Sequence, residues 1–261
     1  MTPFRQRIVV GGLPRAGSTL FRYLLDASES IVVGPETGFF RQPFSVQQAR
    51  ASRAAGRVGR ALDLPVEPVE RAILEARSSV AAFDGIMDLY RRAVGTPDKP
   101  AWGEKTPWNC AAYRWLALES PDLCFVSLIR DGRDVLTSRM PGEDAYHVPI
   151  QRYVEAMRFV FDFHHPRHRI VRYEDLVRDP GATMKAVFEL AGLPFSESIL
   201  TDYRRPAPSR DPSKVRQPKV VGGIRADWIG RWRRDEHAPR VAEAMADERV
   251  VAWLRASGYE G

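Results

Sequence analysis

Gly12-Leu13-Pro14-Arg15-Ala16-Gly17-Ser18-Thr19 sets two glycines five positions apart around an arginine and ends in two hydroxyls. The spacing is that of a phosphate-binding loop, GxxxxGK[ST], except that Ser18 stands where the lysine belongs. Such a loop turns backbone N–H groups inward and runs into the positive end of a helix, so it cradles an anion even without the lysine. Ser18 and Thr19 add hydroxyl donors, and Arg15 adds a charged fork. What is lost is the cation that reaches the outer phosphates of a nucleoside triphosphate. Anion binding is therefore favoured and ATPase or kinase chemistry disfavoured. The competing reading is an ordinary glycine turn.

A second constellation is Ile129-Arg130-Asp131-Gly132-Arg133-Asp134-Val135-Leu136-Thr137-Ser138. Arg130 ends a run that reads as a buried strand, where open α/β sheets bind their ligands. Ser138 lies eight residues on, about two helical turns, and with Arg130 can clamp a second phosphate. The alternative is a structural ion pair between Arg130 and Asp134 at a helix start.

The elements that must position these groups alternate. Ile8-Val9-Val10 reads as a buried strand entering the first loop, and Thr19 to Ala27 as a helix. Ile31 to Val33 is a second apolar run, and residues 66–94 carry a helical pattern. Thr106-Pro107 reads as a helix cap with proline at the first position, opening a helix toward Leu118. Leu123 to Ile129 is the strongest strand. Helices are expected over 133–139 and 150–164, a strand over 169–173, a helix from Asp179-Pro180 to Gly192, and helices near the end. Residues 206–225 turn to Pro, Ser, Lys, Arg and Gly, the composition of a long loop. The pattern predicts an α/β fold, a central parallel sheet flanked by helices, in a single domain over 1–261.

Composition narrows the partners. Lys+Arg 39 against Asp+Glu 33 gives +6, and all but five of the basic residues are arginine. Acidic residues are interleaved throughout, so nucleic acid is not indicated. With 44% hydrophobic residues the chain is too apolar for disorder. Cys110 and Cys124 form no disulfide or metal pattern, which favours a reducing compartment. The five histidines have no ligand spacing, so no metal is expected. No secretory or membrane-spanning apolar run occurs, and the expected place is the cytoplasm, with no membrane partner.

The PRxGSTL loop and the RDGRDVxxSR segment together resemble the sulfotransferase family, whose donor is 3′-phosphoadenosine 5′-phosphosulfate (PAPS) and whose nucleotide product is 3′,5′-ADP. The resemblance implies the P-loop-like sulfotransferase fold. It also implies that Arg15, Ala16, Gly17, Ser18 and Thr19 hold the 5′-phosphosulfate, and that Arg130 and Ser138 hold the 3′-phosphate. The match is finer to tyrosylprotein sulfotransferases and their bacterial relatives. It runs through Leu24-Leu25-Asp26-Ala27, Gly34-Pro35-Glu36-Thr37, Gly103-Glu104-Lys105-Thr106-Pro107, Tyr173-Glu174-Asp175-Leu176-Val177 and Trp228-Ile229-Gly230-Arg231-Trp232. Leu254 and Gly258-Tyr259 extend it, and it is thinnest over residues 40–100.

By this resemblance Glu36 is the general base, while Lys105 and Arg15 are the cations that stabilise the leaving oxygen and polarise the transferring group. A carboxylate base and a positioned cation suit in-line transfer to a hydroxyl. The plainer alternatives are a solvated loop glutamate at 36 and a simple helix cap at Thr106. Pro107 stands where the cytosolic phenol and steroid enzymes place a histidine base, which favours Glu36. Tyr173, Ser213 and Arg231 are further nucleotide contacts, beside Lys214 in the same loop region. Tyr173 reads equally as a core residue, and Arg231 replaces the lysine of the relatives. The expected partner is a hydroxyl-bearing acceptor, a small molecule or natural product first and a tyrosyl hydroxyl second, with a homodimer compatible. A P-loop nucleotide kinase and a non-catalytic nucleotide-binding module are the rival functions.

Overall fold

The computed structural model describes residues 3–140, 142–204 and 223–259. Five strands form one parallel sheet in the order β2-β3-β1-β4-β5: β1 Gln6–Gly12, β2 Ile31–Val33, β3 Ala101–Lys105, β4 Cys124–Ile129 and β5 His168–Arg172. Ile8, Val9 and Val10 are fully buried, as are Cys124 to Leu128, because helices cover both faces of the sheet. Helix α1 (Ser18–Asp26) follows β1. Helices α2 (Phe44–Ala49), α3 (Ala51–Leu62), α4 (Val66–Glu75) and α5 (Ser79–Ala93) separate β2 from β3. Helix α6 (Tyr113–Glu119) precedes β4, and α7 (Gly132–Leu136) and α8 (Ile150–Phe161) lead to β5. Helices α9 (Tyr173–Arg178), α10 (Pro180–Ala191) and α11 (Ile199–Asp202) follow, then α12 (Ala238–Met245) and α13 (Glu248–Ala256).

Three local expectations need correction. The helical pattern over 66–94 is two helices, because Ala76 turns extended and Ser78 starts α5 afresh, its side chain accepting from Ala81 N at 3.1 Å. Thr106 precedes a 3-10 turn, Pro107–Ala112, and does not cap it with its side chain. The helix expected over 133–139 closes at Leu136.

The order of the strands decides where a ligand fits. The chain leaves β1 toward β3 and β2 on one side, and later leaves β4 toward β5 on the other. The loops after β1 and β4 therefore diverge at a switch point, the customary binding crevice of a parallel sheet. Across the carboxyl edge, in spatial order, stand Glu36 after β2, Lys105 at the end of β3, the Arg15 loop after β1, Arg130 after β4 and Tyr173 after β5.

His168 on β5 gives a pH prediction. Its ring nitrogens lie 2.9 Å from Ser127 Oγ and 3.1 Å from the Phe163 carbonyl, and burial pushes its pKa down to about 4. The folded value lies below the unfolded one, about 6.5. As pH falls, the unfolded chain takes up the proton first, so stability is lost from about pH 6.5 toward pH 4. Between pH 7 and 5 the loss is about 2 kcal/mol as an upper figure, since the ring is partly exposed. Urea unfolding at the two pH values measures it, and His168→Gln should flatten the slope; an unchanged slope in that variant would place the proton uptake elsewhere.

Candidate active site

The loop from Gly12 to Gly17 is built on left-handed backbone. Gly12 has φ 111° and Gly17 φ 77°, and a Cβ on Gly17 would lie 2.5 Å from the Tyr173 ring. Arg15 adopts φ 64°, which is uncommon for a residue with a side chain and typical of ligand loops. Helix α1 starts at Ser18 with no side-chain cap and no acidic residue in its first turn, so its leading N–H groups and dipole face the cleft. Arg15 turns across the crevice: its Nε donates to Ser138 Oγ at 3.1 Å and an Nη to the Arg139 carbonyl at 3.4 Å. Burial, then the charge of Arg130, holds its pKa below the usual arginine value.

Arg130 is buried, and the ion pair that its sequence spacing suggested exists: it meets Asp134 at 3.1 Å. The pair does not exhaust its donors. One Nη donates to the Arg15 carbonyl at 3.3 Å, another to the Trp228 carbonyl, and Nε is buried without a partner. Its guanidinium lies 4.6 Å from the Tyr173 ring centroid. Tyr173 thus sits buried between Gly17 and Arg130. Ser138 meets Arg15 rather than Arg130, so the two sequence segments join through the arginine of the first loop.

Glu36 and Lys105, 69 positions apart, form an ion pair. The lysine side chain is 3% exposed and the carboxylate 46%, so the cation is fixed from below while the carboxylate faces outward. Burial lowers the Lys105 pKa, and Glu36 opposes that shift.

Sequence reasoning gave Glu104 no role, yet it holds this half of the site together. Its buried carboxylate accepts from Thr37 Oγ1 and Thr106 Oγ1, both at 2.8 Å, from Thr37 N at 3.3 Å, and from Asn109 Nδ2. Thr106 Oγ1 in turn accepts from Gly38 N at 3.1 Å. The hydroxyl expected to cap a helix instead ties the loop after β2 to the end of β3, which sets Glu36 against Lys105. Asp134 was also assigned too little: besides Arg130, it accepts from Gly230 N and Trp232 N, both at 2.9 Å. That anchors the Trp228–Trp232 segment beside the crevice. Arg231 there lies over the Trp228 ring, 4.2 Å from its centroid, and donates to the Asp227 carbonyl. Ser213 and Lys214 lie outside the described residues.

A parallel sheet with an uncapped helix start, a left-handed loop and an arginine on each side of a switch point can hold an anionic ligand at two points. The model of the sulfotransferase family matches residues 7–197 of the 261. The chain belongs to the sulfotransferase family. Chicken protein-tyrosine sulfotransferase 2 is 24% identical over 208 residues, covering 74% of this chain and 53% of that protein. Protein-tyrosine sulfotransferase A of Caenorhabditis elegans is 25% identical over 273 residues, 97% of this chain and 67% of that protein. The chain thus spans about half to two thirds of these curated relatives. Among solved structures, the sulfotransferase domain of a Synechococcus olefin synthase superposes with TM-score 0.67 at 18% identity, over 100% of this chain and 96% of that one. The sulfotransferase domain of the curacin biosynthetic pathway gives 0.61 at 15%, over 99% and 98%. These two likenesses carry the sulfotransferase fold to this chain. Among the described residues, no cluster of three or more His, Cys, Asp or Glu could hold a metal ion, and no helix is long and apolar enough to cross a membrane.

Proposed function

We propose that this sulfotransferase uses PAPS as donor and passes its sulfuryl group to a hydroxyl, with Glu36 as general base. The observation that carries the reading is the order along the carboxyl edge: a base and a buried cation on one side, an anion cradle in the middle, and a second arginine on the other. The cradle fits the donor, because the leading N–H groups of α1 have no side-chain cap and Arg130 Nε is buried without a partner. When bound, the donor supplies an activated sulfuryl group whose leaving oxygen belongs to a phosphate.

Arg15, Ala16, Gly17, Ser18 and Thr19 would bind the 5′-phosphosulfate, and Arg130 with Ser138 nearby the 3′-phosphate. Glu36 accepts the proton of the acceptor hydroxyl as its oxygen forms the new S–O bond. Lys105 and Arg15 balance the charge that gathers on the phosphate side as the old S–O bond breaks. Glu104 acts as a positioning residue, since its hydrogen bonds to Thr37 and Thr106 hold the loop after β2 against the end of β3. The acceptor is a small molecule or natural product; a tyrosyl hydroxyl is the second reading, supported by the likeness to protein-tyrosine sulfotransferases.

Calorimetry with nucleotides tests the donor assignment. 3′,5′-ADP should bind more tightly than 5′-AMP or ATP, and Arg130→Ala should weaken 3′,5′-ADP alone, by the roughly 1.5–3 kcal/mol of a charge-assisted contact. Equal losses for 3′,5′-ADP and 5′-AMP would move the 3′-phosphate site elsewhere, and a preference for ATP would restore the kinase reading.

A further inference from the structure

Beyond the cleft, the chain from Arg41 to Arg57 gathers four guanidinium groups without a counter-charge. A partly open cavity of about 130 Å³ lies against helices α2 and α3, lined by Gln42, Gln47, Arg50, Arg53, Ala54 and Arg57. That is room for roughly four waters at about 30 Å³ each, or for one tetrahedral oxyanion. Among the described residues, none of Arg41, Arg50, Arg53 and Arg57 forms an ion pair, whereas Arg7, Arg71, Arg91, Arg92 and Arg249 all meet carboxylates.

The walls are ordered from within. Gln47 is buried: its amide donates to the Phe39 carbonyl, and its oxygen accepts from an Nη of Arg57 at 3.4 Å. Arg57 Nε is buried with no partner. Burial, followed by the charges of Arg41 and Arg53, holds the Arg57 pKa below the usual arginine value. Like charges gathered around one cavity repel one another, and an anion among them relieves the repulsion and satisfies the open donor of Arg57. The guanidinium fork suits the oxygens of phosphate and sulfate.

We propose that this pocket is a second anion site, separate from the nucleotide cleft, which binds a phosphate- or sulfate-type dianion between Arg50, Arg53 and Arg57. Phe39, to which the pocket is pinned, is three residues from Glu36, at most about 11 Å of chain. Gln47 thereby ties the pocket to the segment that follows Glu36, and the anion the pocket takes is either part of an organic monoester or a free ion. The site stands whether or not the chain transfers sulfate.

Calorimetric titration with inorganic phosphate, at ionic strength fixed by sodium chloride, tests it in the presence of saturating 3′,5′-ADP. One saturable phosphate site should persist, and Arg53→Gln or Arg57→Gln should weaken it by about tenfold or more while leaving 3′,5′-ADP affinity unchanged. Arg53 is exposed, so its variant keeps the test readable if Arg57→Gln fails to fold. Phenyl phosphate binding more tightly than inorganic phosphate marks an organic monoester; the reverse marks a free ion. No saturable phosphate binding, or binding unaltered in both variants, overturns the site. If 3′,5′-ADP itself does not bind, the donor assignment fails, while the component lost with Arg53 and Arg57 remains measurable.

Discussion

Glu36→Gln is expected to slow sulfuryl transfer by about 10²–10⁴ at saturating donor and acceptor, the usual loss when a positioned base is removed. The amide keeps the shape of the side chain and still reaches toward Lys105, yet it cannot take the proton of the acceptor hydroxyl. Because the carboxylate is 46% exposed and, among the described residues, partners Lys105 alone, the substitution disturbs little packing. The affinity for 3′,5′-ADP should stay at the wild-type value, which separates lost chemistry from a lost donor site, while the melting temperature should fall somewhat because the buried Lys105 loses its counter-charge. Turnover of radiolabelled donor with an excess of a phenolic or alcoholic acceptor is the measurement. Wild-type turnover in the variant would remove Glu36 as base, and a joint loss of 3′,5′-ADP binding would make it a residue of the donor site.

How much of this was legible beforehand depended on where the charges lie. Strands β1, β2 and β4 show as apolar runs because most or all of their residues are buried. Strand β3 did not show. Ala101-Trp102-Gly103-Glu104-Lys105 is wholly buried between β2 and β1, but two of its five residues are charged, and no hydrophobic pattern marks it. Those two charges are half of the site, so the property that hid the strand is the property that makes it useful. Helix α3 was hidden for another reason. Its buried face is Ala51, Ala54, Ala55, Val58 and Leu62, a proper three–four spacing carried mostly by side chains too small to stand out among arginines.

The site divides in the same way. Arg15, Ser18 and Arg130 announce themselves through local spacing, because a glycine loop and a strand end are short-range devices. Glu36 and Lys105 are 69 positions apart; their separate roles followed only from the family resemblance, and nothing in the sequence indicated that they pair. Asp134 was read as one partner of Arg130, whereas two of its hydrogen bonds go to Gly230 and Trp232, 96 and 98 residues away. A carboxylate that binds two remote N–H groups has no signature in sequence. Nor has Glu104, whose four donors come from three separate positions brought together by the sheet register.

Lys105→Ala carries the second large effect: transfer should fall by about 10²–10³, the loss typical of removing one preorganised donor from a developing negative charge. The reasoning rests on burial. A lysine side chain 3% exposed at the end of a central strand cannot swing away, so its charge needs no reorganisation when the leaving oxygen gains electron density. Burial already lowers the Lys105 pKa and Glu36 restores part of it, so the pair keeps the ammonium charged in a place that disfavours charge. Removing the lysine leaves a cavity and a carboxylate without its cation, and a small amine that fills the gap should supply both. Methylammonium or ethylammonium in the assay should therefore restore part of the rate to Lys105→Ala and none to Glu36→Gln. A variant that melts like wild type and is not rescued would show that Lys105 serves the shape of the site, whereas retention of full activity would take the positive charge at this position out of the mechanism.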